Sequence, residues 1–127
     1  MNFIPAIETQ PRTIIKQFQE QKMADTLSYL ASCSSFYRTL FEKNHIDIRK
    51  IVNLEDLRYI PFTDKTDLQQ FNDDFICVSK EKIIDYITTS GTLGDPVTFV
   101  MTDADLNRLA YNEKISFQCA GDRKSVV

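Results

Sequence analysis

"TTSGTLGDP", residues 88–96, stands between two runs rich in β-branched and aromatic residues, "KIIDYI" at 82–87 and "VTFVMT" at 97–102. Short runs of that composition read as strands, and the stretch between them as their connection. An ordinary hairpin needs only a pair such as Asn-Gly. This turn instead holds three threonines, one serine and two glycines. Gly91 and Gly94 permit positive φ and leave no Cβ, so backbone can approach a ligand closely. Thr89, Ser90 and Thr92 add hydroxyl donors beside several backbone N–H groups, a composition suited to wrapping phosphate oxygens. Pro96 stiffens the exit at a position where its missing N–H costs nothing. By composition alone, the same residues equally make a plain hairpin loop whose threonines satisfy their own backbone.

Two familiar phosphate loops are excluded. A Walker loop needs G-x-x-x-x-G-K-[ST] leading into a helix, whereas here a strand follows and no lysine lies inside. A dinucleotide fingerprint fails for the same topological reason.

Upstream of the hairpin the pattern is helical. Residues 11 to about 43 lack glycine or a second proline, and Pro11 suits a first helical turn with Thr9 or Gln10 outside it. Ile14, Ile15 and Phe18 share one face, while Met23, Leu27 and Leu30 fall on a rotated one. That drift means either a break near residues 19–21 or a helix touching two different partners. Around "SCSS" the chain turns, and Ser34 or Ser35 caps a second helix carrying Phe36, Tyr37, Leu40 and Phe41. Phe36 and Tyr37 read as core aromatics, and His45 falls near that helix's C-terminus. "NLEDL" reads as a short helix capped by Asn53, and "IPFT" as extended because Ile60 precedes Pro61. Thr63 is expected to cap a further short helix through "DKTDLQQF", with Asp64 and Asp67 in a first turn that favours negative charge. Asp73 and Asp74 read as a solvated helix end.

Beyond the hairpin, Thr102 and Asp105 form an acidic capping box. It announces a helix from about 103 to 119, with Leu106, Leu109, Ala110 and Phe117 on its inner side and Gly121 as terminator. "DRKSVV" then reads as the start of another strand. Two strands and the opening of a third make a marginal sheet, so the expectation is the first part of a longer protein. Unpaired strand edges would recruit a second copy.

Bulk properties narrow the class. The chain has 127 residues, 43% hydrophobic and 26% charged, with a net charge of −3. Those values describe a globular domain able to bury a core. Dispersed Lys and Arg and an acidic balance argue against a nucleic-acid surface or a membrane surface. No apolar run approaches the roughly 18 residues that span a bilayer. The N-terminus has neither a basic start nor a long apolar segment, so no secretory signal is expected and the reading is cytoplasmic. Cys33, Cys77 and Cys119 are far apart and odd in number, as expected of reduced, buried or half-buried thiols. One histidine without neighbouring ligands gives no metal site.

"TSGTLGDP" resembles the phosphate-binding signature [ST]-S-G-[ST]-[TS]-G-x-P of AMP-forming adenylating enzymes. Leu93 departs from it where the family has a hydroxyl, and Val97 stands where many acyl-CoA synthetases carry lysine. "SSFYRTLF" and "LEDLRYIPFTDKTDL" are similar to text of the phenylacetate–CoA ligase branch, S-x-F-Y-R followed by E-D-L-x-x-[IL]-P-F-T-x-K-x-D-L. The likeness runs from about residue 15 to 122.

The resemblance implies an α+β fragment: N-terminal helices, then a β-hairpin phosphate loop and a helix, the beginning of the α/β large domain of adenylate-forming enzymes. Residues 1–80 would be the N-terminal helical segment and 81–127 the incomplete start of the nucleotide-binding core. It implies activation of a small carboxylic acid with ATP and Mg²⁺, then transfer to coenzyme A. Thr89, Ser90, Gly91, Thr92 and Gly94 would hold the β- and γ-phosphates. Lys65, an ordinary exposed lysine by spacing alone, would neutralise phosphate. The family's Y-G-x-[ST]-E stretch, ribose-binding aspartate and C-terminal lysine are not found in these 127 residues. No catalytic residue is therefore assigned, and the chain alone is expected to be inactive. The alternative is a non-catalytic nucleotide- or protein-binding module that retains the loop.

Overall fold

A computed structural model describes residues 6–90 and 94–121. Helix α1 spans Arg12–Cys33 and helix α2 spans Ser35–Lys43. Pro11 lies just outside α1 rather than in its first turn, and its carbonyl accepts from the Ile14 and Ile15 N–H groups. A short 3-10 turn, Ala6–Thr9, precedes it. The helix is unbroken near residues 19–21, because no Gly or Pro interrupts its 22 residues. The two apolar faces of the helix differ in burial, with Ile14 and Phe18 exposed and Met23 and Leu27 buried. Its first half meets the segment around residue 55, through a Lys16–Glu55 contact of 2.7 Å and a Leu54 N–H donating to Glu20. Its second half buries Met23 and Leu27 with Phe41 and Ile51, the main core, flanked by Leu30, Tyr37, Ile46 and Ile60.

Ser34 makes the sharp joint between α1 and α2. It is fully buried; its Oγ accepts from the Tyr37 N–H and donates to the Asp74 carbonyl at 2.9 Å. At the other end of α2, His45 adopts φ 54°. Its N–H reaches the Glu42 carbonyl while the Ile46 N–H reaches Phe41, so the helix closes in a Schellman motif with histidine in the usual glycine position.

The segment from 46 to 82 is built from short turns. "NLEDL" forms a 3-10 helix, Leu54–Tyr59, whose Asp56 carboxylate accepts from the Val52 and Asn53 N–H groups. Helix α3 is Lys65–Gln70. Its cap is Asp64, not Thr63: the Asp64 carboxylate accepts from both Thr66 and Asp67 N–H, and Asp67 returns a bond to the Asp64 N–H. A carboxylate one residue nearer the helix satisfies two orphan donors where a threonine would satisfy one. Thr63 lies beside the Tyr37 hydroxyl instead. A 3-10 turn, Asn72–Phe75, follows α3. Its Phe75 ring stacks on Phe36 with centroids 4.0 Å apart, and Phe71 and Tyr37 complete the aromatic cluster. Phe36 and Tyr37 thus hold this segment against α2.

A last 3-10 turn, Lys80–Lys82, leads into the hairpin. Strand β1 is Asp85–Thr88 and β2 is Thr98–Met101, paired antiparallel with Thr88 opposite Thr98 and Asp85 opposite Met101. Helix α4, Asp103–Cys119, starts on the anticipated box: Thr102 Oγ accepts from the Asp105 N–H, and the Asp105 carboxylate accepts from the Thr102 N–H at 2.9 Å. The inner side expected for α4 is not buried. Leu106, Leu109, Ala110 and Phe117 are exposed, because β2 is its main neighbour among the described residues. Local capping starts this helix although most of its apolar side chains are exposed among the described residues. The strand read in "DRKSVV" lies outside the described residues. Cys33 and Cys119 are exposed rather than buried, and only Cys77 is half-buried. Among the described residues no helix is long and apolar enough to cross a membrane.

Candidate functional site

The hairpin's connection begins where the strands stop pairing. The Thr89 N–H donates to the Val97 carbonyl at 2.9 Å, and the Val97 N–H donates to Thr89 Oγ at 3.1 Å. These two bonds close the neck of the loop. Val97 is 2% exposed, so the neck rests on a packed side chain. Thr89 Oγ spends its lone pair inward, and its hydroxyl proton remains for an acceptor outside the neck. Val97 is thus a packing residue.

Ser90 and Gly94 are exposed on the two arms that leave this neck. Gly91 and Thr92, the other two expected phosphate contacts, and Leu93 lie outside the described residues. Gly94 sits at φ 129°, and a Cβ built on it would come 2.9 Å from Gln69 Nε2. Backbone conformation calls for glycine there, and a Cβ would also push the Gln69 amide aside. Asp95 follows, its carbonyl accepting from Gln69 Nε2. Asn72 grips the next residues with a double bond pair: its Nδ2 donates to the Thr98 carbonyl and its Oδ1 accepts from the Thr98 N–H, both at 2.9 Å.

Gln69 and Asn72 were not legible as site residues. "LQQFND" reads as an ordinary helix end, and the partners lie 26 residues further on. Lys65 is exposed at the first position of α3. It stands four residues before Gln69, so the two share one face of the helix, and that face is the one joined to the loop's exit.

No group of three or more His, Cys, Asp or Glu side chains among the described residues could hold a metal ion. Asp73 and Asp74 are exposed at the turn after α3, with Asp74 taken up by the Ser35 hydroxyl at 2.7 Å. A cavity of about 300 Å³ lies away from the loop, between α2 and α3, lined by Phe36, Leu40, Lys43, Asp67 and Phe71.

The chain as a whole is similar to known proteins. The chain is 32% identical over 128 residues to the phenylacetate-coenzyme A ligase of Thermus thermophilus, a match that takes in 100% of this chain. It is 29% identical to the enzyme of the same name from Pseudomonas putida and 28% to that from Escherichia coli. Over its whole length, this chain is similar to phenylacetate–coenzyme A ligases.

The ligase-like chain spans 29%, 27% and 26% of those three relatives. Its fold matches a 2-hydroxyisobutyryl-CoA ligase solved with 2-HIB-AMP and CoA, at a TM-score of 0.78 and 27% identity over 85% of this chain and 24% of that one. An open conformation of that enzyme matches at 0.77 and 25% identity. The helix-rich architecture with one small antiparallel hairpin is that of an α+β segment of adenylate-forming CoA ligases. No protein-family model matches the ligase-like chain.

Proposed function

We propose that this chain supplies the ATP phosphate loop of an AMP-forming acyl-CoA ligase. The observation that carries the reading is the loop's neck: two bonds between Thr89 and Val97 fix the arms from which Ser90 and Gly94 project. The similarity to solved ligases holding an acyl-AMP and CoA supports the same substrates here. In the first half-reaction a carboxylate oxygen attacks the α-phosphorus of ATP. The bond from that phosphorus to the bridging oxygen breaks, and pyrophosphate leaves. In the second, the sulfur of coenzyme A attacks the acyl carbon, AMP departs, and the thiol proton passes to a base.

Thr89, Ser90, Gly91, Thr92 and Gly94 hold the β- and γ-phosphates by hydroxyl and backbone N–H groups, so that charge on the leaving pyrophosphate is met by fixed donors. Lys65, on the α3 face joined to the loop's exit, adds a positive charge beside them. Among the described residues no group of three or more His, Cys, Asp or Glu side chains could hold Mg²⁺; such an ion would be held largely by phosphate oxygens and water. The chain matches under a third of its relatives' length, so the acyl pocket and the groups that move protons belong to the remainder of such an enzyme. The 127-residue chain by itself performs neither half-reaction.

Titration of the ¹⁵N-labelled chain with tripolyphosphate tests this reading. The amide signals of Thr89, Ser90 and Gly94 shift together and saturate. Ser90→Ala and Lys65→Ala each weaken binding roughly tenfold, the worth of one charge-assisted bond. Shifts scattered over α1 and α4 with the loop unmoved would remove the proposal.

A further inference from the structure

Thr98 is the first residue of β2, and its backbone groups have an unusual partner. With the Thr89 N–H bonded to the Val97 carbonyl, antiparallel alternation makes Thr88 opposite Thr98 a non-hydrogen-bonded pair. The Thr98 N–H and carbonyl therefore point away from β1. The Asn72 side-chain amide meets both at 2.9 Å, as a single residue of a third strand would. Three residues earlier in the chain, Gln69 Nε2 holds the Asp95 carbonyl and occupies the space that a side chain on Gly94 would need. The descending arm of the loop is thus fastened at both ends to one short stretch, α3 and the turn after it. That stretch is itself held to α2 by the Phe36–Phe75 stack and by the Ser34–Asp74 bond.

We infer that Gln69 and Asn72 are positioning residues that tie the phosphate loop's descending arm to the helix bearing Lys65, so that loop and lysine are presented as one unit. The inference rests on the phosphate-loop reading for its purpose, but the tie itself is independent of it. Neither side chain need touch phosphate. Each acts by fixing the arm that carries Gly94.

The test uses the full 127-residue chain, with amide exchange at Thr98 and tripolyphosphate titration read on the same samples. Asn72→Ala speeds exchange at the Thr98 amide roughly tenfold and weakens tripolyphosphate binding by a similar factor, the loss of a paired amide contact. Exchange at Leu27 in α1 stays unchanged, which shows that the variant is folded. Gln69→Leu weakens binding as well, while Gln69→Lys, which returns a donor to the Asp95 carbonyl, restores most of it. Asn72→Asp provides a pH signature that a merely structural role lacks. Its carboxylate still accepts from the Thr98 N–H but faces the Thr98 carbonyl without a proton to donate. Protection of Thr98 in that variant therefore recovers as pH falls through the aspartate's titration.

Unchanged Thr98 exchange in Asn72→Ala overturns the tie. Faster exchange with undiminished tripolyphosphate affinity overturns its positioning role. A wild-type chain that binds no tripolyphosphate at the loop removes the phosphate reading, and the Thr98 exchange then decides the tie alone.

Discussion

Gly94 and Gly121 both have left-handed backbone, at φ 129° and φ 84°, yet they stand in unlike surroundings. A Cβ on Gly121 meets nothing within 4 Å, whereas one on Gly94 runs into the Gln69 amide. Gly94→Ala therefore pays about 1–3 kcal/mol of backbone strain and also displaces Gln69 from Asp95. The expected result is a measurable fall in tripolyphosphate affinity with faster exchange at Thr98. Gly121→Ala costs about 1–2 kcal/mol, felt only as fraying at the end of α4, with the loop's amide signals unmoved. The need for glycine at 94 was readable from the loop pattern; the Gln69 contact was not, because it joins residues distant in sequence.

Among elements, α4 shows how far local chemistry reaches. Its start at Thr102 and Asp105 followed directly from the spacing of a hydroxyl and a carboxylate around the first turn. The Thr102 N–H, then its hydroxyl, then the Arg108 guanidinium hold the Asp105 carboxyl below its usual range. A carboxyl depressed in the folded state gives stability that is complete above the unfolded aspartate value of about 4. That stability is lost as pH falls through the lower folded value, since the unfolded chain binds the proton first. Asp105→Asn should flatten part of the acid limb of helix loss, followed by circular dichroism from about pH 5 to 2. The part due to Asp56, lowered likewise by the Asn53 and Val52 N–H groups, remains in the variant. A profile identical to wild type would show that the box does not form. The cap of α3 was misplaced by one residue for an instructive reason: Thr63 and Asp64 are both good caps, and only the path of the chain past Tyr37 chooses between them.

Across the whole molecule, the core of Met23, Leu27, Phe41 and Ile51 lies under α1 and α2, and Val97 is buried apart from it beneath the loop. What joins the two regions is a line of polar contacts and stacked rings: Ser34 to Asp74, Tyr29 to the Cys77 carbonyl, Phe36 on Phe75, and Asn72 to Thr98. Ser34→Ala removes the cap of α2 and leaves the Asp74 carbonyl only the longer contact from the Ser35 hydroxyl, at 3.5 Å. The expected loss is about 1–3 kcal/mol in urea unfolding, together with faster exchange at Thr98, since the joint is upstream of the Asn72 tie. A loss of stability with the hairpin's exchange unmoved would show that the two regions are not mechanically linked.

The sequence by itself determined what depends on neighbours along the chain. It specified the two N-terminal helices and their joint near Ser34, the hairpin strands on either side of residues 89–96, the capped start of α4 and the need for glycine at 94, because caps, turns and strand periods act within a few residues. Only the tertiary structure decided which side chains from elsewhere meet that loop. Gln69 and Asn72 acquire their partners through the packing of aromatic rings from α2 against the turn after α3. Tertiary packing likewise decided that Leu106, Leu109 and Phe117 of α4 stay exposed among the described residues, since amphipathic spacing states which face wants burial and not whether a neighbour arrives to bury it.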